Sequence, residues 1–115
     1  MAALLVPAAA SAMPVSTFIA KAEALKAKGP LALFSGDLKL LSSEVKADSV
    51  ALRGENLAAD KAGRRKAYCT PKAGVALSQN DIMAAMQAVP PPQRASTPTK
   101  DAMRTYLARR FPCRS

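Results

Sequence analysis

The sequence predicts an all-α domain, a small bundle of about four helices with one disulfide closing its C-terminal helical hairpin. Three observations carry that expectation. Apolar residues recur at steps of three and four, and no alternating stretch of useful strand length occurs. Glycine and proline fall between the periodic segments, where turns are needed. Aromatics make up 4% of the 115 residues and Trp is absent, and much of the 50% hydrophobic content is alanine. That mix suits close helix–helix contact better than a sheet.

Residues 1–12, MAALLVPAAASA, read as the hydrophobic part of a secretory signal, with Leu4-Leu5-Val6 as the apolar run and Ala10-Ser11-Ala12 as a small-x-small cleavage site. The expectation is export to the periplasm, a mature chain from near Met13 and a single domain over 13–115. Translation from Met13 would instead leave the product in the cytoplasm. No segment is long and apolar enough to span a bilayer.

Ser16 or Thr17 is placed to cap a first helix that runs to about Lys28, with Phe18, Ala22 and Leu25 on one face. Gly29-Pro30 is a stop followed by a restart. Leu31, Phe34, Leu38, Leu41, Val45 and Leu52 then form a heptad-like seam, interrupted by Asp48. Gly36 makes Leu31–Ser35 a candidate separate turn, with the long helix starting at Asp37 and ending at about Ala62. The seam is read as core, with a homodimer interface as its alternative use. Gly63-Arg64-Arg65-Lys66 is a basic linker, and Pro71 and Gly74 mark a loop. Ser78-Gln79-Asn80-Asp81 approximates a capping box opening a third helix, with Ile82, Met83, Met86 and Val89 as its apolar stripe. Pro90-Pro91-Pro92 ends it. Thr97-Pro98 reads as an N-cap and first helical residue of a fourth helix, which buries Ala102, Met103, Tyr106, Leu107 and Phe111 before Pro112.

Cys69 and Cys113 are the only cysteines, and there is no histidine. They admit a disulfide, half of a metal site or two separate buried thiols. A structural zinc site needs four Cys or His ligands, so metal binding within the chain is disfavoured. Each cysteine flanks a helical pattern and the N-terminus reads as an export signal, which favours the disulfide over buried thiols.

The net charge is +9, unevenly placed. In residues 1–60 six Lys/Arg balance six acids; in residues 61–115 eleven Lys/Arg face only Asp81 and Asp101. The basic half implies an acidic protein partner or an anionic envelope polymer. Nucleic acid is disfavoured by the expected export and by the absence of a zinc-finger, RRM or KH signature. Catalysis is not expected: the commonest general base is missing, the carboxylates are scattered, and no Gly-rich phosphate loop or metal-ligand cluster is visible. No cofactor is implied.

Tyr68-Cys69-Thr70-Pro71, then Val75 and Gln79 entering an amphipathic helix, a Pro-rich break, and a helix ending Tyr106-Leu107…Phe111-Pro112-Cys113 resemble the C-terminal half of the Rap/Tai-type immunity proteins. These are small helical periplasmic proteins that neutralise peptidoglycan amidase effectors of type VI secretion. The resemblance implies a disulfide framework that includes Cys69 and Cys113, with Pro71, Phe111 and Pro112 as motif neighbours, and an amidase as partner. It is confined to residues 68–113; residues 13–67 lack the family's second cysteine pair and its Gly-Tyr stretch. Arg64, Arg65 and Lys66 are candidate partner contacts on charge alone. Two other functions fit the composition: a periplasmic chaperone or stress protein of the general plan of the HdeA-type acid chaperones, and a basic envelope-associated protein with no specific target.

Overall fold

A computed structural model describes residues 13–72 and 74–113, so the expected signal segment 1–12 lies outside the described residues. Four α-helices form the bundle: α1 (Val15–Lys28), α2 (Gly36–Lys61), α3 (Gln79–Gln87) and α4 (Thr99–Arg110). Short 3-10 turns occupy Gly29–Phe34 and Pro91–Gln93. The described residues hold no strand, only an isolated bridge between Pro14 and Pro98.

The core is assembled from one stripe of each helix. Val15, Phe18, Ile19 and Leu25 of α1 meet Leu41 and Leu52 of α2, Met86 of α3, and Ala102, Met103 and Leu107 of α4. Met86 and Met103 are fully enclosed, where the unbranched thioether fills irregular space between helices. Tyr106 and Phe111, expected inside, are half-buried.

The first helix is capped differently from the expectation. Neither Ser16 nor Thr17 acts as N-cap; the helix starts at Val15 behind Pro14, without a side-chain cap. Carbonyls from the α3–α4 connection take that role: Val15 N–H donates to Thr97 O at 2.8 Å and Ser16 N–H to Arg94 O at 3.0 Å. The tie is reciprocal, since Thr99 N–H donates to Met13 O at 2.9 Å. Orphan amides of a helix start can be satisfied by any acceptor, and here tertiary structure brings backbone carbonyls to them. Likewise α4 begins one residue later than expected, with Pro98 at the cap and the Thr97 hydroxyl donating to Gln93 O at 2.8 Å.

Other local signals are realised. Gly29 takes φ 61° at the end of α1, and Pro30 sits in the first turn of the following 3-10 segment. Ser35 caps α2 by accepting from Asp37 N–H at 3.2 Å. At its far end Gly63, with φ 74°, closes a Schellman motif through Gly63 N–H to Asp60 O and Arg64 N–H to Ala59 O. Ser78 and Asp81 form a complete capping box at α3.

The expected seam is corrected at its start. Leu38, Leu41, Val45 and Leu52 pack inward, but Leu31 and Phe34 are exposed. Ser35 is extended (φ −86°, ψ 136°), so the helical phase does not carry from the 3-10 turn into α2. Ala32 is the residue of that turn that packs on the core.

Cys69 and Cys113 are joined by a disulfide with Cα atoms 4.9 Å apart. Beside it Cys69 N–H donates to Phe111 O at 2.8 Å, so the strap entering α3 is pinned to the end of α4. Closing a loop of sequence separation 44 removes about 4 kcal/mol of unfolded-chain freedom in the chain-entropy account. Reducing the bond, or replacing both cysteines by serine, is expected to lower unfolding stability by about that amount, read as a lower urea midpoint and a steeper m-value. An unchanged midpoint after reduction would show that the hairpin is held without it.

Candidate functional site

The basic linker is built on α2. Asn56 holds it from both sides: its Nδ2 donates to Tyr68 O at 2.8 Å and its Oδ1 accepts from Ala67 N–H at 3.0 Å. Arg64 and Arg65 therefore stand exposed between the end of α2 and the disulfide strap, with Lys66 half-buried. None of the three has an ion-pair partner among the described residues.

Ion pairing narrows the basic half to this region. Glu55 of α2 accepts from Lys100 at 2.6 Å and from Arg104 at 2.9 Å, and Arg104 also pairs with Asp101 at 2.8 Å. These bonds hold the Glu55 carboxyl below the usual carboxylate range. Arg110 pairs with Asp81 at 3.0 Å, and Arg94 donates to the carbonyls of Val89 and Gln87 at the end of α3. Among the described residues of that half, Lys61, Arg64, Arg65, Lys66, Lys72, Arg94 and Arg109 carry no carboxylate partner, and of these Arg94 is held by carbonyls.

The 3-10 turn between α1 and α2 is the most exposed apolar feature. Leu31, Leu33 and Phe34 are 69%, 75% and 87% exposed. Leu33 also lines an open groove of about 510 Å³ between α1, the turn, α2 and α3, whose floor includes Phe18, Leu25, Leu38, Val45 and Met83. The sequence placed Leu31 and Phe34 in a core seam and so missed this surface, although Gly36 already marked Leu31–Ser35 as a candidate separate turn, which the structure shows it to be.

A second cluster was missed because its members are distant in sequence. The Thr99 hydroxyl lies 2.6 Å from Asp48 Oδ2 and 3.0 Å from Glu44 Oε2. Thr99 and Asp48 are buried, and Glu44 is half-buried. The one hydroxyl proton is shared between two acceptors, Asp48 Oδ2 at the shorter distance and Glu44 Oε2 at the longer. Burial raises the Asp48 carboxyl above its ordinary value, the Thr99 bond opposes that, and the Glu44 charge adds to it. The cluster is closed between α2 and α4 and acts as a clamp.

No group of three or more potential metal ligands occurs among the described residues, and none of their helices is long and apolar enough to cross a membrane. Compared with family models, curated proteins and solved structures, the chain matches none.

The two perturbed aspartates act in opposite pH ranges. A raised folded pKa at Asp48 stabilises the fold below the unfolded value near 3.8, and that contribution is lost as pH rises through the folded value. Asp81 is held at about 2 by the Ser78 amide first, then the Tyr106 and Ser78 hydroxyls; its contribution is present above 3.8 and lost as pH falls through about 2. Asp48→Asn is expected to flatten the stability profile above pH 3.8, while leaving the acid limb set by Asp81 in place. Urea midpoints across that range check both; a wild-type slope retained in the Asn variant would contradict the Asp48 assignment.

Proposed function

We propose that the domain is a protein-binding inhibitor of the immunity type, which neutralises a peptidoglycan amidase effector in the periplasm by docking on it. The observation that carries a binding role is the exposed trio Leu31, Leu33 and Phe34 beside an apolar groove. Three bulky side chains on one short turn are a costly surface for a monomer and a fitting anchor for a partner. Arg64, Arg65 and Lys66, without carboxylate partners among the described residues, supply a positive rim for an acidic surface. The class of partner comes from the likeness of residues 68–113 to the Rap/Tai-type immunity proteins.

In this role the disulfide and the Thr99 clamp hold the bundle rigid, so that docking orders few residues and the surface meets its target preformed. Inhibition then needs no chemistry from this chain, only coverage of the amidase cleft.

The test is binding and inhibition of an amidase encoded beside this chain, by calorimetry and peptidoglycan hydrolysis. Phe34→Asp is expected to weaken binding at least about ten-fold, with stability changed by less than about 0.5 kcal/mol because the side chain makes little packing contact. Arg64→Glu with Arg65→Glu is expected to slow association and to reduce its salt dependence. An amidase left fully active by saturating wild-type protein would overturn the inhibitory role.

A further inference from the structure

Helix α2 has two apolar faces, and only one is used inside the bundle. The inner face presents Leu41, Asp48, Leu52 and Ala59, all buried. On the opposite side Leu40, Ser43, Ala47, Val50, Gly54 and Leu57 follow one another at steps of 3, 4, 3, 4 and 3, and every one is exposed. Leu40, Val50 and Leu57 are 45%, 60% and 54% exposed. Such spacing is the seam that packs against another helix. Three knobs alternate with small residues that leave holes between them.

Gly54 is the second observation. It sits in the interior of a continuous helix, where glycine is unfavourable. A Cβ built there meets nothing within 4 Å, so no packing inside the domain requires glycine. A neighbour approaching this face closely from outside would.

The charges beside the seam define that neighbour. Lys39, Lys46 and Arg53 repeat at seven-residue intervals, each immediately before Leu40, Ala47 or Gly54, and all three are exposed. None has an ion-pair partner among the described residues. The acids on the other flank are already engaged: Asp37 by Lys21, Glu44 by Thr99, and Glu55 by Lys100 and Arg104. The free edge is therefore positive along Lys39, Lys46 and Arg53, and exposed Asp60 closes it at the C-terminal end of the helix.

We infer that the outer face of α2 is a docking site for an amphipathic helix of a partner protein, with an apolar stripe at heptad spacing and acidic residues along one edge. A second copy of this chain fits poorly. Antiparallel packing about Ala47 and Val50 sets Lys46 beside Arg53 of the other copy at the centre, with Lys39 beside Asp60 only at the ends, and sets Ser43 against Gly54, small against small. Parallel packing stacks Ala47 on Ala47 and Gly54 on Gly54. An acidic helix with large seam residues fills those holes and neutralises the Lys39–Lys46–Arg53 edge.

The test uses the full chain and two synthetic amphipathic helices of about four heptads, leucine at a and d, with glutamate in one and lysine in the other at e and g. The acidic helix is expected to bind at least about ten-fold tighter than the basic one, and its affinity to fall with salt. Gly54→Leu separates binding from folding. It is expected to raise the thermal midpoint by roughly 4 °C, by removing a helix glycine, while weakening the acidic helix at least ten-fold. Lys46→Glu with Arg53→Glu is expected to reverse the preference between the helices. Equal affinity for the two, no binding of either, or undiminished binding by Gly54→Leu would overturn the assignment. So would a dimer that Gly54→Leu abolishes, or preference for phosphatidylglycerol vesicles over the peptide. No amidase enters the experiment, so its outcome is independent of the inhibitory role.

Discussion

Thr99 is the residue on which the arrangement of the bundle depends. It opens α4, its amide is held by the Met13 carbonyl before α1, and its hydroxyl meets Asp48 and Glu44 on α2. Three helices thus converge on one residue, through its amide and its hydroxyl, and it is 1% exposed. The hydrophobic stripes of α1, α2 and α4 are short rows of Val, Phe, Ile, Leu and Met, and apolar contact of that kind is non-directional and tolerates repacking. A buried, directional contact at one point sets a register that non-directional apolar contact leaves loose. The disulfide does the same at the opposite end of α4, where Cys113 follows the last turn.

With both ends of α4 fixed, α2 becomes the shared scaffold. Its inner face carries the core and the Thr99 contact, and its carboxylates at 37, 44 and 55 are engaged by neighbours. What remains free on α2 is the positive edge and the exposed seam, while the turn before it and the linker after it bear Phe34 and Arg64. A helix with all its acids but Asp60 held inside the domain and its bases left over is suited to binding acidic partners, whatever their identity.

Punctuation was legible in the sequence wherever its cause is local. Ser78 and Asp81 are three residues apart and cap α3 as their spacing implies. Gly29-Pro30 and Pro90-Pro91-Pro92 stop helices for steric reasons that need no partner. The Cys69–Cys113 bond was legible because the chain has two cysteines and no histidine, each cysteine flanks a helical pattern, and the N-terminus reads as an export signal. The Thr99 contact was not: its partners lie 51 and 55 residues away, and Asp48 looked like a break in a seam rather than half of a polar clamp. The first-turn amides of α1 were misassigned for the same reason, since carbonyls of Arg94 and Thr97 replaced the nearby hydroxyls. Leu31 and Phe34 were misplaced because one extended residue, Ser35, resets the helical phase. The outer seam of α2 was hidden because the helix is apolar on two sides, and burial alone tells which side is free.

The most direct measurement is equilibrium urea unfolding of Thr99→Val at neutral pH. The change keeps the shape of the side chain and removes the hydroxyl, leaving two carboxylates facing an apolar group. A loss of about 2–3 kcal/mol is predicted, the scale of a buried hydrogen bond to a charged acceptor. A loss under about 0.5 kcal/mol would contradict the central role given to Thr99, and would place the registry of the bundle in its apolar packing and disulfide alone.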